Sequence, residues 1–326
     1  MEKRLDVSYT NGVIAVREKY LLKDKVSRMC ELTADDAFRL LLESGFGGGA
    51  ETATGVYDYE KLIAAENEKL DAFIREYAPS KAEAAYLLAP RDFHNAKALI
   101  KAAYLNESAE RMLASEGLIA IDTISTCVKN GDFSALDICP ALKKACQDAT
   151  ALLAEDASGS KVGAIFENAL YGYLRGVVKR KPVLKKLLAA KADMMNILTA
   201  FRLDDKDVAV EKYVPAGSLK ADDLAVILDG DLDAIKAAFK KTAYADFVAA
   251  CAAAREKGVP MTQAEKMLGA YDAAHFSARK YALEKTEPFL YYVYRRKMES
   301  ANVRIIFVCL LAGLEEQDIK RRIRTF

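Results

Sequence analysis

The run DFHNAKALIKAAYL, Asp92 to Leu105, sets an acid and an amide three residues apart at the head of an apolar, alanine-rich stretch. The same order returns as DMMNILTAFRL from Asp193 and as ESANVRIIFVCLL from Glu299, with starts 101 and 106 residues apart. After each amide the apolar residues recur at three and four spacing, the period of a helix rather than of a strand. Eight asparagines occur in a chain where Asp plus Glu number 47 of 326, so about one should follow an acid by three positions through composition alone. Asn95, Asn196 and Asn302 all do.

Spacing downstream strengthens the pattern. Asn95 to Leu118 is 23 residues, and so is Asn196 to Leu219, each leucine standing just before a second helical run. The amino-terminal stretch fits less well: Asn11 to Leu32 is 21 residues, and Ser8 stands where the acid should be. The last copy is shortened, with Asn302 followed after Gly313 by the closing helix LEEQDIKRRIR. These features describe one body over 1–326 built of approximate units 1–90, 91–190 and 191–326, whose boundaries fall inside long helices and whose ends differ from the interior.

Elsewhere the text is also helical. Only seven prolines occur, and PVLKKLLAAKADMMNILTAF and PFLYYVYRRKMESANVRIIFVCLLAG are long and apolar at helical spacing. No alternating β-branched run of strand length appears, so the expected fold class is all-α. Thr33 before the acidic turn of ADDAFRLLLE, with Gly45 as the stop, marks one short helix, and SLKADDLAVILDGD after Gly217 repeats that order. Pro90 falls inside the first motif helix and is expected to kink it or start it afresh.

Within a helix, residues i and i+3 share a face, so Asp92 with Asn95, Asp193 with Asn196 and Glu299 with Asn302 can each clamp a neighbouring helix with one carboxylate and one amide. The expected role is structural. No further acid, His or Cys converges on these pairs in sequence to make a metal shell.

Composition narrows the function. With 52% hydrophobic residues the chain can bury a large core, and a net charge of +1 implies no general attraction to nucleic acid. No apolar h-region follows MEKRLDVSYTNG, which argues against a secretory signal and for the cytoplasm. VRIIFVCLLAG is too short for a bilayer and contains Arg304, so it reads as a buried core helix. Cys30, Cys127, Cys139, Cys146, Cys251 and Cys309 are scattered without zinc or disulfide spacing, and Cys139 and Cys146, two helical turns apart, read as small apolar fillers of one buried face.

A search for catalytic groups ends empty. ESGFGGGAETATG has no Gly-Lys-Ser/Thr and no preceding strand, so it reads as a flexible interhelical loop and not a phosphate cradle. The Asp pairs at Asp35, Asp204 and Asp222 miss the D-D-x-x-D spacing that would hold magnesium on a helix. His94 and His275 sit in helical text with no nucleophile nearby, and read as surface or packing residues. The basic runs at Lys179–Lys186, Arg295–Lys297 and Lys320–Arg324 read as solvated faces, the last one favourable at a helix carboxyl end. No catalytic residue, cofactor or metal site is expected.

Taken together, YTNGVIAVREKYLL, LLAPRDFHNAKALIKA, IFENALYGYLRGVV leading to KADMMNILTAFR, and YVYRRKMESANVRIIFVCLLAGLEEQDIKRRIR resemble, in order and spacing over essentially the whole chain, the C subunits of the V/A-type rotary ATPases, homologous to the d subunit of the eukaryotic vacuolar enzyme. The family's E-x-x-L-D-x-x-Y helix is only partly matched: Glu167 and Leu170 are present, and Tyr171 stands where the Asp is expected. The resemblance implies three similar helical subdomains in a pseudo-threefold, funnel-like arrangement. It also implies a non-catalytic central-stalk part on the cytoplasmic face of the membrane, joining the central shaft subunits (D and F type) to the membrane rotor ring and passing torque for proton or sodium transport. The alternative is an all-helical repeat scaffold that binds some other protein.

Overall fold

A computed structural model describes residues 6–51, 53–155, 159–203, 206–277, 282 and 285–324. Among them every regular element is a helix. In chain order the α-helices are α1 (Val7–Arg17), α2 (Lys25–Met29), α3 (Ala34–Glu43), α4 (Tyr59–Tyr77), α5 (Lys81–Leu105), α6 (Ile121–Asn130), α7 (Pro140–Glu155) and α8 (Gly159–Val177). They continue as α9 (Pro182–Arg202), α10 (Lys206–Lys212), α11 (Ala221–Asp229), α12 (Leu232–Phe239), α13 (Ala245–Lys257), α14 (Thr262–Ser277), α15 (Glu287–Leu311) and α16 (Glu316–Arg322). The all-α expectation holds, and no described helix is long and apolar enough to cross a membrane. Contacts divide the chain into two compact units, Met1–Ala84 with Ala270–Phe326, and Ala85–Gly269.

In the first unit, α15 packs against α1, α2, α3, α4 and α16. Its core joins Leu22, Met29, Phe38, Leu41, Leu62 and Ile63 to Val303, Ile306 and Phe307. Phe307 meets Phe38 edge-on at 6.1 Å and stacks on Tyr59 at 5.3 Å, geometries favoured by the ring quadrupole. Helix α3 starts as its sequence says: the Thr33 hydroxyl accepts the Asp36 N–H at 3.2 Å, and Asp35 and Asp36 sit on the positive end of the helix.

The glycine-rich stretch after α3 is not the loose loop its composition suggests. Gly47 has φ of 62°, donates its N–H to Glu66 Oε2 at 3.0 Å, and lies so close to α4 that a Cβ would stand 2.2 Å from the Leu62 carbonyl oxygen. Glycine is needed there for close approach as well as for φ.

In the second unit α7 packs on α8, and α9 is covered by α8, α10, α11 and α13. Helix α9 buries Leu184, Leu187, Leu188, Ile197, Leu198 and Phe201 on one half and Ala192, Asp193, Asn196 and Ala200 on the other, which marks a central rather than a surface helix. Helix α5 continues through Pro90 instead of restarting there. Helix α6 ends on Gly131 in the left-handed region at φ 67°. Helix α11 is capped from within: Asp223 accepts the Lys220 N–H at 2.8 Å. Ser218, two residues earlier, gives its hydroxyl to Asp193 instead.

Candidate functional site

Each acid–amide pair grips a segment of backbone. On α5, the Asn95 side chain accepts the Ala114 N–H at 2.8 Å and donates to the Ala114 carbonyl at 3.3 Å, as a strand neighbour would. One turn earlier, Asp92 accepts the N–H groups of Leu118 at 2.9 Å and Ile119 at 3.1 Å. On α9, Asn196 treats Val214 in the same way, at 2.8 and 3.1 Å. Asp193 accepts the N–H groups of Ser218 and Leu219, both at 2.8 Å, and also the hydroxyls of Ser218 at 2.5 Å and Tyr244 at 2.6 Å. All four side chains are buried. A carboxylate can be buried at low cost when donors converge on it, and here a helix approach supplies amides that would otherwise lack partners.

Two details differ from the sequence reading. For α5 and α9 the clamped backbone is the connection that follows the motif helix, not a neighbouring helix. The equivalence is also shifted by one residue: equal spacing pairs Leu118 with Leu219, whereas the hydrogen bonds pair Leu118 with Ser218 and Ile119 with Leu219. The reason is a connection one residue longer after α5, where the clamped residue lies 19 positions past its asparagine instead of 18. Between the two grips each connection passes a glycine directly over the acid: a Cβ on Gly117 would stand 2.2 Å from Asp92 Oδ1, and one on Gly217 2.4 Å from Asp193 Oδ1. Glycine 22 residues after Asn95 and 21 after Asn196 was the signal in the sequence that would have found this.

The third pair, on α15, is built differently. Asn302 accepts the Arg324 N–H at 2.8 Å and donates to its carbonyl at 2.9 Å, but Glu299 Oε1 accepts the N–H of Leu22 at 3.0 Å, from the opposite end of the chain. Glu299 Oε2 takes the Arg296 guanidinium at 2.8 Å. Arg296 also pairs with Glu66 and donates to the Tyr20 carbonyl at 3.0 Å. Burial pushes the Glu299 carboxyl up, against the pull of Arg296 and Arg295. Burial alone would lower Arg296, but Glu66 and Glu299 beside it leave it raised.

Arg296 thus departs from the solvated face expected of its basic run. It floors a cavity of about 410 Å³ lined also by Arg17, Phe46, Glu66, Phe73 and Tyr292. The Lys320–Arg324 run is tied down in part, Lys320 reaching Glu31 at 2.7 Å and Glu316 at 2.6 Å. His94, exposed on α5, bonds the Met112 carbonyl at 2.8 Å. All six cysteines are buried, and burial pushes the thiols of Cys146 and Cys251 up to about 12. Among the described residues no group of three or more His, Cys, Asp or Glu is placed to hold a metal ion.

Comparison with known families matches residues 10–322 to the model described as ATP synthase (C/AC39) subunit. The chain belongs to that family. Within the C/AC39 family it is similar to the C subunit of the V-type ATP synthase of Thermus thermophilus, 24% identical over 235 residues that cover 69% of this chain and 72% of that one. It is also similar to the C subunit of the V-type sodium ATPase of Enterococcus hirae, 21% identical over 325 residues covering 96% and 97% of the two chains. The C/AC39 match takes in all three acid–amide pairs and every residue they grip except Arg324.

Proposed function

We propose that this C/AC39 chain is a non-catalytic coupling part of the central stalk of a V/A-type rotary ATPase. It joins the central shaft subunits (D and F type) to the membrane rotor ring, peripheral on the cytoplasmic face, and passes torque for proton or sodium transport. The observation that carries this reading is the family match over residues 10–322, supported by a relative named as the C subunit of a sodium ATPase that aligns over 97% of its length. In this reading the three motif helices with Asp92 and Asn95, Asp193 and Asn196, and Glu299 and Asn302 mark three similar subdomains about a pseudo-threefold, funnel-like arrangement.

The clamps suit the task. A part that transmits torque must resist slipping of each connection along its helix, and a carboxylate plus an amide fixed to specific backbone groups oppose that more directionally than apolar packing does. Co-expression with the shaft subunits of the same organism's rotary ATPase, followed by size exclusion at moderate salt, tests the reading. A defined complex is the expected result. Separate elution of folded partners, repeated when the rotor ring is added, would overturn it in favour of a helical-repeat scaffold with another partner.

A further inference from the structure

The third clamp differs from the other two in its covalent logic. In the second unit a continuous stretch joins the two grips: Ser115 to Gly117 runs between Ala114 and Leu118, and Pro215 to Gly217 between Val214 and Ser218. On α15 the gripped residues are Arg324 and Leu22, which the chain connects only through everything between them. Where the connection would run, a cavity of about 230 Å³ lies among Lys23, Val26, Arg295, Glu299, Asn302 and Arg324. Letting go of Arg324 therefore does not pull on Leu22, whereas letting go of Ala114 or Val214 leaves a short stretch still held a few residues on.

What the Arg324 side holds in place is α16. Its Ile319 is buried in the core cluster with Met29, Cys30, Ile306 and Cys309, and Lys320 pairs with Glu31, the residue after Cys30. Ile319 shares its core cluster with Cys30 and Lys320 reaches the residue next to it, so this helix lies against the segment that carries that cysteine. Among the described residues the segment's attachments include one buried isoleucine, partly buried Ile323, a part-exposed ion pair and the Asn302 grip. A short helix with these attachments is the kind of element that opens locally at less cost than global unfolding.

We propose that Glu316–Arg324 is a displaceable strap, fastened by Asn302 and opening as a unit to uncover Cys30 while α15 keeps its hold on Leu22. This holds whether or not the coupling reading does. Opening is measured on the full chain by alkylation with N-ethylmaleimide at neutral pH, the rate at each cysteine read by peptide mass spectrometry.

Asn302→Ala should raise the Cys30 rate about tenfold, since it removes two hydrogen bonds that act only on the closed state. Asn196→Ala should leave Cys30 unchanged. Lys320 is part-exposed and outside the core, so Lys320→Ala should fold normally, raise the rate about threefold, and abolish its increase with salt. Equal Cys30 rates in wild type, Asn302→Ala and Lys320→Ala would overturn the strap. So would a parallel rise at Cys127, Cys146 and Cys251, which would show global opening instead.

Discussion

The clamp on α9 and the clamp on α15 use the same two kinds of side chain one turn apart, and they hold their backbone in different ways. Asp193 gathers two amides and two hydroxyls, and among the described residues its carboxylate serves nothing else. Glu299 divides its oxygens between one amide and two arginines, the buried Arg296 and, at 3.8 Å, Arg295. An acid surrounded by neutral donors stays bound to its segment as long as the fold persists. An acid that shares its charge with an arginine leaves its backbone partner with a single bond, so the two ends meeting on α15 depend on their own packing. The lesson is that a repeated motif preserves a geometry of donors and acceptors without preserving how firmly it is fastened.

The largest effect should come from emptying the α9 clamp. Asp193→Ala strands two amides and two hydroxyls in a buried site and is expected to cost about 3 kcal/mol, seen as a lower denaturant midpoint at constant slope. An unchanged midpoint would mean that water replaces the carboxylate, and the contrast with α15 would fall.

Next is Gly117→Ala, which puts a methyl carbon into the space of the Asp92 carboxylate and should cost about 2 kcal/mol. Because both changes break one contact, the double variant with Asp92→Ala should lose much less than the sum, and strict additivity would show that the glycine serves some other purpose.

Alkaline stability separates the sealed unit from the strapped one. Cys146 has a folded value near 12 against an ordinary 9.0, so its contribution is fully present below pH 9 and is lost as pH rises from there towards 12. The unfolded chain releases this proton first, which should lower stability by up to about 1.4 kcal/mol per pH unit in that window. In Cys146→Ala that part of the slope should vanish, and an identical slope would show the thiol to be solvated.

Smallest is Ala216→Gly. Ala216 is held at φ 85° beside Gly217, a region that L residues avoid, so glycine should stabilise by up to about 1 kcal/mol in thermal unfolding. A loss of stability there would show that the methyl group packs usefully.

Much of this was visible in the chain text. Helical spacing after Asn95, Asn196 and Asn302 named the three long helices, and Thr33 named a cap that is present. Arg296 was hidden, because a basic residue beside Arg295 and Lys297 reads as solvent-facing until Glu66, 230 positions away, is seen to meet it. The role of Ser218 was hidden too, because a serine before an acidic turn has the same local signature whether its hydroxyl serves the helix ahead or a carboxylate behind.

Local order alone, then, settled the class of fold, the three helices and the pairing of an acid with an amide on one face, since helix periodicity and the i, i+3 geometry act over a few residues. Which backbone each pair grips, the one-residue offset between the first two copies, and the meeting of Leu22 with Arg324 on α15 were decided only by the folded chain. Those contacts join residues 18 to 277 positions apart, and nothing in a local pattern measures where the path between them returns.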